Sequence, residues 1–279
     1  MPFIKNCRFF GRVAAFAVVT LCYWISFEVE AFVRRKSPRI DVINKWVPRW
    51  ARINLWLFGI QVEARGAHVG QGDLYPGGTN NVGRIFVANH CSGMDIPILL
   101  ATAEAHVISR HDLATWPLIG RSARRVGTLF VDRASRRSGA SVLKEVDSAL
   151  QRGEGVAMFP EGTAYVGDQV HKFRPGAFNA AKRAGAEVVP IGLAYGSDDA
   201  YYNVESFMSH IRRIASLPRL QVAIEVGQPL SSAQYAGVEM KDVAQAQVQQ
   251  LVEQARLRLN GSESSFPPTA ATDGGLSTH

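Results

Sequence analysis

The sequence predicts an α/β fold with a central, mostly parallel sheet flanked by helices, preceded by an N-terminal helical segment of different character. Three observations carry this. From Gly59 onward, short apolar runs alternate with helix-length amphipathic segments. Two of the apolar runs, Ile85-Phe86-Val87-Ala88 and Val156-Ala157-Met158-Phe159, end in polar turns that contain glycine. The first 65 residues hold 11 Lys+Arg against 4 Asp+Glu, whereas the rest of the chain holds 20 against 20.

Val13 to Phe27 is uncharged over 15 residues, short of the ~20 apolar residues that a spanning helix needs. Lys5, Arg8 and Arg12 precede it, and Arg34, Arg35, Lys36 and Arg39 follow, so the flanks give no inside–outside asymmetry. A helix dipping into one leaflet fits this better than a clean span. No small-x-small cleavage site follows the run to mark a signal peptide. A second helix follows Pro48 or is kinked by it. Trp46, Trp50, Ile53 and Leu57 form one helical stripe, with Lys45, Arg49 and Arg52 on the next. Tryptophan beside basic residues suits a membrane interface; the alternative is a Trp stripe packed on the protein's own core.

Gln61-Val62-Glu63-Ala64 alternates as a strand, and the tract from Gly70 to Gly83 reads as a turn-rich surface loop. Strands are then expected at 85–89, 106–109, 128–131, 155–159, 187–194 and 221–226. Helices are expected near 96–104, 115–125, 138–151, 176–184 and 242–259. The tail is polar and predicts disorder. The organisation is therefore helices over 1–58, an α/β domain over 59–260 and a disordered tail over 261–279.

The chain's net charge of +7 belongs wholly to the N-terminal segment. That segment is also rich in Trp, Phe and Leu, which points to an anionic membrane surface rather than to nucleic acid. Three cysteines, Cys7, Cys22 and Cys91, give no disulfide framework and suggest a reducing compartment. There is no Cys-x-x-Cys, His-Glu-x-x-His, Walker loop or Gly-x-Ser-x-Gly elbow.

Asn89-His90-Cys91-Ser92-Gly93-Met94-Asp95 follows the first apolar strand. It delivers a histidine and a carboxylate to one strand end, with Gly93 letting the chain turn between them. A base with a carboxylate to orient it is the minimum equipment for deprotonating a hydroxyl. Cys91 adjoins His90, but neighbours on an extended chain face opposite sides, so a buried, inert thiol is the expectation. Ser92 is suited to shaping the turn. The second turn, Phe159-Pro160-Glu161-Gly162-Thr163, ends another strand, so both turns fall at one edge of one sheet.

The chain resembles the glycerolipid acyltransferase family that includes 1-acylglycerol-3-phosphate acyltransferases. Four blocks stand in the family's order: His90 to Asp95, Gly127-Thr128-Leu129-Phe130-Val131-Asp132-Arg133, Phe159 to Thr163, and Val188-Val189-Pro190-Ile191. The third block often ends in Arg, where this chain has Ala164. The resemblance implies that His90 is the general base and Asp95 its orienting partner. It implies that Arg133 grips an acceptor phosphate, with Arg110 and His111 helping and Arg136 nearby. Glu161, Gly162 and Thr163 would line the acceptor site, Glu161 meeting a hydroxyl and the Gly162 amide facing the oxyanion. Lys172 and Arg174 are the candidates to compensate for Ala164; a solvated loop face is the plain alternative.

The expected activity is transfer of a fatty acyl group from acyl-CoA or acyl-carrier protein to the free hydroxyl of a lysophospholipid, foremost lysophosphatidate. A lyso-ornithine-lipid O-acyltransferase and a catalytically silent lipid-binding homologue are the alternatives. No metal or cofactor, no nucleic acid and a place at the cytoplasmic face of a membrane complete the expectation.

Overall fold

A computed structural model describes residues 2–69, 73–116, 119–132, 135–203, 205–235 and 237–263. Helix α1 (Pro2–Val33) and helix α2 (Arg39–Leu57) form an N-terminal hairpin. α1 is far longer than the uncharged run from Val13 to Phe27. Over Phe3–Val33 it is long and apolar enough to cross a membrane. α2 runs through Pro48 without ending there.

Strands β1 (Ile60–Arg65), β4 (Ile85–Ala88), β5 (Ala105–Arg110), β6 (Leu129–Val131), β7 (Gly155–Met158), β8 (Val188–Tyr195) and β9 (Leu220–Val226) form one sheet in the order β1-β9-β8-β4-β7-β5-β6. Its pairs are parallel except β8–β9, which is antiparallel. The interior strands read as unbroken apolar runs because both faces are covered: every residue of β4 and β8 is buried. Successive residues of β4 serve opposite faces. Ile85 and Val87 pack with α5 (Arg136–Gln151), α6 (Gly176–Ala184) and α8 (Gly237–Glu263). Phe86 and Ala88 pack with α3 (Asp95–Thr102) and α2.

Ala51, Leu55 and Phe58 lie in the same core cluster as Phe86 and Ile191, so packing continues without a break across residue 58. The Trp stripe of α2 turns inward. Trp50 Nε1 donates to Thr20 Oγ1 at 3.1 Å and Trp46 Nε1 to Glu30 at 2.8 Å, both across the hairpin. The interfacial reading of that stripe is therefore corrected: its half-buried indole N–H groups find partners on α1. The outward apolar face is on α1 instead, where Phe10, Val18, Leu21, Ile25, Val29 and Phe32 are exposed at helical spacing.

Other departures are local. The tract expected as a surface loop holds a small hairpin, β2 (Gly78–Thr79) with β3 (Val82–Gly83), and a buried Tyr75 against Phe86. The helix expected near 115–125 is a 3₁₀ turn over His111–Thr115 followed by α4 (Ile119–Arg125). Helix α7 (Phe207–Ser216) was not expected, although Ser206 caps it and Phe207, Ile211 and Ile214 have helical spacing. α8 continues to Glu263, past the expected start of the tail; the rest of that tail lies outside the described residues.

Candidate active site

β4 and β7 lie side by side and parallel, so the turns that leave their C-terminal ends converge at one edge of the sheet. His90 leaves β4, and Asp95 opens α3 five residues later. His90 Nδ1 and Asp95 Oδ2 are 2.7 Å apart. Oδ2 also accepts the Cys91 and Ser92 amides at 2.8 and 2.9 Å, and Oδ1 accepts the Tyr195 hydroxyl at 2.6 Å. Asp95 is completely buried. These donors replace the hydration that burial removes from the carboxylate. It fixes the proton on His90 Nδ1 and leaves Nε2 as the nitrogen free to accept one. The Phe159 ring stacks on the imidazole at 4.3 Å and sets its plane.

Glu161 braces the two turns. Its carboxylate accepts the His90 amide at 2.8 Å and the His171 amide at 3.0 Å, and it is only 4% exposed. Burial pushes its pKa up to about 7 against the pull of those two amides, with the nearby Asp95 charge adding to the rise. Each Glu161 oxygen thus meets one backbone donor, which ties the turn after β4 to the turn after β7. The Gly162 amide is committed, donating to Phe159 O at 3.0 Å, which corrects the expectation that it faces an oxyanion. Gly162 adopts φ +79°. A Cβ there would come within 2.5 Å of the Arg174 guanidinium, so the residue serves a tight turn packed under Arg174. Thr163 is exposed at the site.

Cys91 is buried in the core, and burial raises its thiol pKa, as expected of an inert cysteine. Ser92 Oγ accepts the Met94 amide at 3.2 Å and shapes the turn. Gly93 does not take a left-handed conformation; a Cβ there would press on Phe207 and His210 of α7, at 2.9 and 3.1 Å. Its glycine is thus a matter of clearance rather than of turning.

Arg110 ends β5 and is held by both oxygens of Asp112, at 3.0 Å each. His111 lies 4.0 Å from Asp132. Both are exposed. Lys172 and Arg174 are exposed on the segment after the third block. Arg133 lies outside the described residues, and Arg136 opens α5. Tyr195 and His210 are functional neighbours that sequence reasoning missed. Tyr195 ends the fourth block's strand, where its phenol reaches the carboxylate, but nothing in the local pattern sets which way it faces.

A cavity of about 510 Å³ runs from this site into the N-terminal hairpin. His90, Ser92, Thr163 and Ala164 line one part of it, and Phe16, Trp24, Phe27 and Trp50 line another. His90 therefore borders an apolar channel walled by α2 and by α1, the helix that carries the exposed apolar stripe.

An acyltransferase family model matches residues 73–194. A lyso-ornithine lipid O-acyltransferase of Pseudomonas aeruginosa is 33% identical over 93% of both chains. A 1-acyl-sn-glycerol-3-phosphate acyltransferase of Neisseria gonorrhoeae is 34% identical over 40% of this chain and 44% of its own. The crystal structure of the 1-acyl-sn-glycerophosphate acyltransferase from Thermotoga maritima superposes with a TM-score of 0.64 at 19% identity, over 90% of this chain and 98% of that one. With a relative 33% identical along nearly its whole length and a family model matched over residues 73–194, this chain belongs to the acyltransferase family.

Proposed function

We propose that the protein transfers a fatty acyl group from a thioester donor, acyl-CoA or acyl-carrier protein, to the hydroxyl of a lyso-lipid. The observation that carries this is His90, tied to buried Asp95 through Nδ1 and bordering an apolar cavity. The acceptor hydroxyl gives its proton to Nε2 as its oxygen attacks the thioester carbonyl. Asp95 stabilises the imidazolium that forms. The tetrahedral intermediate collapses with cleavage of the C–S bond, and the thiolate leaves with the proton from Nε2. No side chain becomes acylated, and no bound cofactor enters. The acyl chain occupies the apolar cavity, and Thr163, exposed and lining that cavity, contacts the substrate.

The acceptor we favour is zwitterionic, a lyso-ornithine lipid. Arg110 is matched by Asp112 and His111 lies beside Asp132, while Ala164 stands where related chains often carry Arg. Paired charges of both signs beside Arg110, which lines the cavity, suit an acceptor bearing both a carboxylate and an ammonium. The relative that aligns over 93% of the chain is named for that substrate. Lysophosphatidate is the second reading, favoured by the exposed Arg174 packed against Gly162; Arg133 and Lys172 would join it at the phosphate. The enzyme would work from the cytoplasmic face of a membrane, where thioester donors are made, with the outer face of α1 in the lipid.

The test is thioester consumption with both acceptors. A kcat/KM at least ~10-fold higher for lyso-ornithine lipid is expected, a discrimination of about 1.4 kcal/mol. A reversed preference would replace the acceptor, and turnover with neither would refute the lyso-lipid reading.

A further inference from the structure

Another buried histidine meets the turn that carries Ser92 and Gly93. His210 lies on α7 and has no exposed surface. Its Nε2 is 2.9 Å from the Gly93 amide nitrogen and 3.3 Å from Ser92 Oγ. An amide N–H can only donate, so Nε2 carries no proton and the ring's hydrogen is on Nδ1. Nδ1 lies 3.5 Å from Glu205 Oε1, the acceptor it faces, and 3.2 Å from Arg213 Nη2, whose two hydrogens go to Glu205 and to Tyr201 O rather than to the ring. Tyr202 and Phe207 enclose the rest of the ring. Burial, with Arg213 adding to it, pushes His210 down to about 4, so the ring stays neutral at neutral pH.

We propose that His210 is a positioning residue for acyl transfer: as a neutral acceptor it pins the Ser92–Gly93 turn, and the turn pins Asp95 against His90. The chain of contacts is short. The Cys91 and Ser92 amides that hold Asp95 Oδ2 belong to the segment that His210 fixes one residue later. Ser92 faces both ways, its amide on Asp95 and its hydroxyl beside His210. With the acceptor gone, the Gly93 amide is left without its partner, and the turn relaxes towards water or another carbonyl. A shift of ~1 Å at Asp95 is enough to cost about 10²-fold in rate, because the base must meet the hydroxyl in line. His210 touches no reacting atom, so the loss falls on kcat and spares binding.

This rests on His90–Asp95 being the reacting pair, and the experiment separates the two claims. In the full chain labelled with ¹⁵N, Nε2 of His210 should resonate as a bare, accepting nitrogen with a through-hydrogen-bond coupling to the Gly93 amide. A protonated Nε2 would overturn the proposal without any variant having to fold. In kinetics, His210→Phe keeps the ring's volume but loses the acceptor. It should lower kcat about 10–100-fold and leave the acceptor KM within about threefold. His210→Gln places a carbonyl oxygen near the lost nitrogen and should recover kcat to within about threefold of the parent. Equal losses in the Phe and Gln variants, or a parental kcat in His210→Phe, would reduce His210 to a packing residue. Activity surviving in His90→Ala would instead sink the dyad and leave the Gly93–His210 coupling unaffected.

Discussion

In the proposed mechanism His90 and Asp95 divide one task, and each substitution isolates a part of it. His90→Ala removes the proton acceptor and should lower turnover about 10²–10⁴-fold with an unchanged fold. Asp95→Asn can keep its carbonyl towards the Cys91 and Ser92 amides and turn its NH₂ towards the Tyr195 hydroxyl, so folding survives. The missing charge no longer stabilises the imidazolium, and kcat should fall by a similar factor. Steady-state rates on purified variants check both. Cys91→Ala should retain most activity, and mass spectrometry during turnover should find no acyl group on Cys91 or Ser92. Glu161 adds a pH signature. Its folded pKa of about 7 stands above the ordinary 4.5, so the folded protein holds a proton that the unfolded chain releases. Stability from this group is therefore full below 4.5 and declines as pH rises through 7. Glu161→Gln has no proton to lose, so the parent's Tm should drop more than the variant's between pH 5 and 8. Parallel Tm curves would place the carboxyl's titration elsewhere.

α1 and α7 meet through arginines rather than through apolar packing alone. Arg8 donates to Ser216 O at 2.9 Å, and Arg12 donates to Ala215 O and Leu217 O at 3.1 and 2.5 Å. These are the carbonyls that the end of α7 leaves without intrahelical partners, at the negative end of its dipole. Two basic residues that look like membrane flanks in the sequence thus act as a C-terminal cap supplied by another helix. Arg12→Ala should cost about 1–2 kcal/mol, seen by calorimetry as a fall in Tm of about 2–8 °C. Lys5→Ala, exposed on the same helix, should stay within about 0.5 kcal/mol of the parent. Because α7 also carries His210, the N-terminal helix and the catalytic turn share one support.

Across the whole molecule, the hairpin of α1 and α2 has three roles. It closes the core through Ala51 and Leu55, walls the cavity through Phe16 and Trp50, and presents an apolar stripe outward. Removing residues 1–58 should therefore give an insoluble protein rather than a free catalytic domain. A cleaner test of the membrane role is Leu21→Glu with Ile25→Glu, two exposed positions whose change leaves the core intact. That variant should keep its circular dichroism and lose co-flotation with liposomes. Lys45 is bound to Glu30 at 2.6 Å and Arg52 donates to Ala101 O at 3.2 Å, whereas Arg49 is exposed. Arg49→Gln should accordingly weaken flotation with anionic vesicles at low salt more than with neutral ones.

The βα alternation, the strand ends that carry His90 and Glu161, and the inert Cys91 were all legible in the sequence. Each is a matter of local periodicity or of spacing along a few residues. The bracing contact of Glu161 was not legible, since it joins the His90 amide to a turn 71 residues further on. Nor were Tyr195 and His210, whose contacts with the catalytic turn span 100 and 117 residues. The Trp stripe of α2 has the same composition whether it faces lipid or protein, and only α1, lying across it with Thr20 and Glu30 as acceptors, decides between them. Sequence pattern fixes which residues share a face or a strand end; which surface that face meets depends on the packing of elements distant in the chain, because buried polar groups settle only where the completed fold supplies a partner.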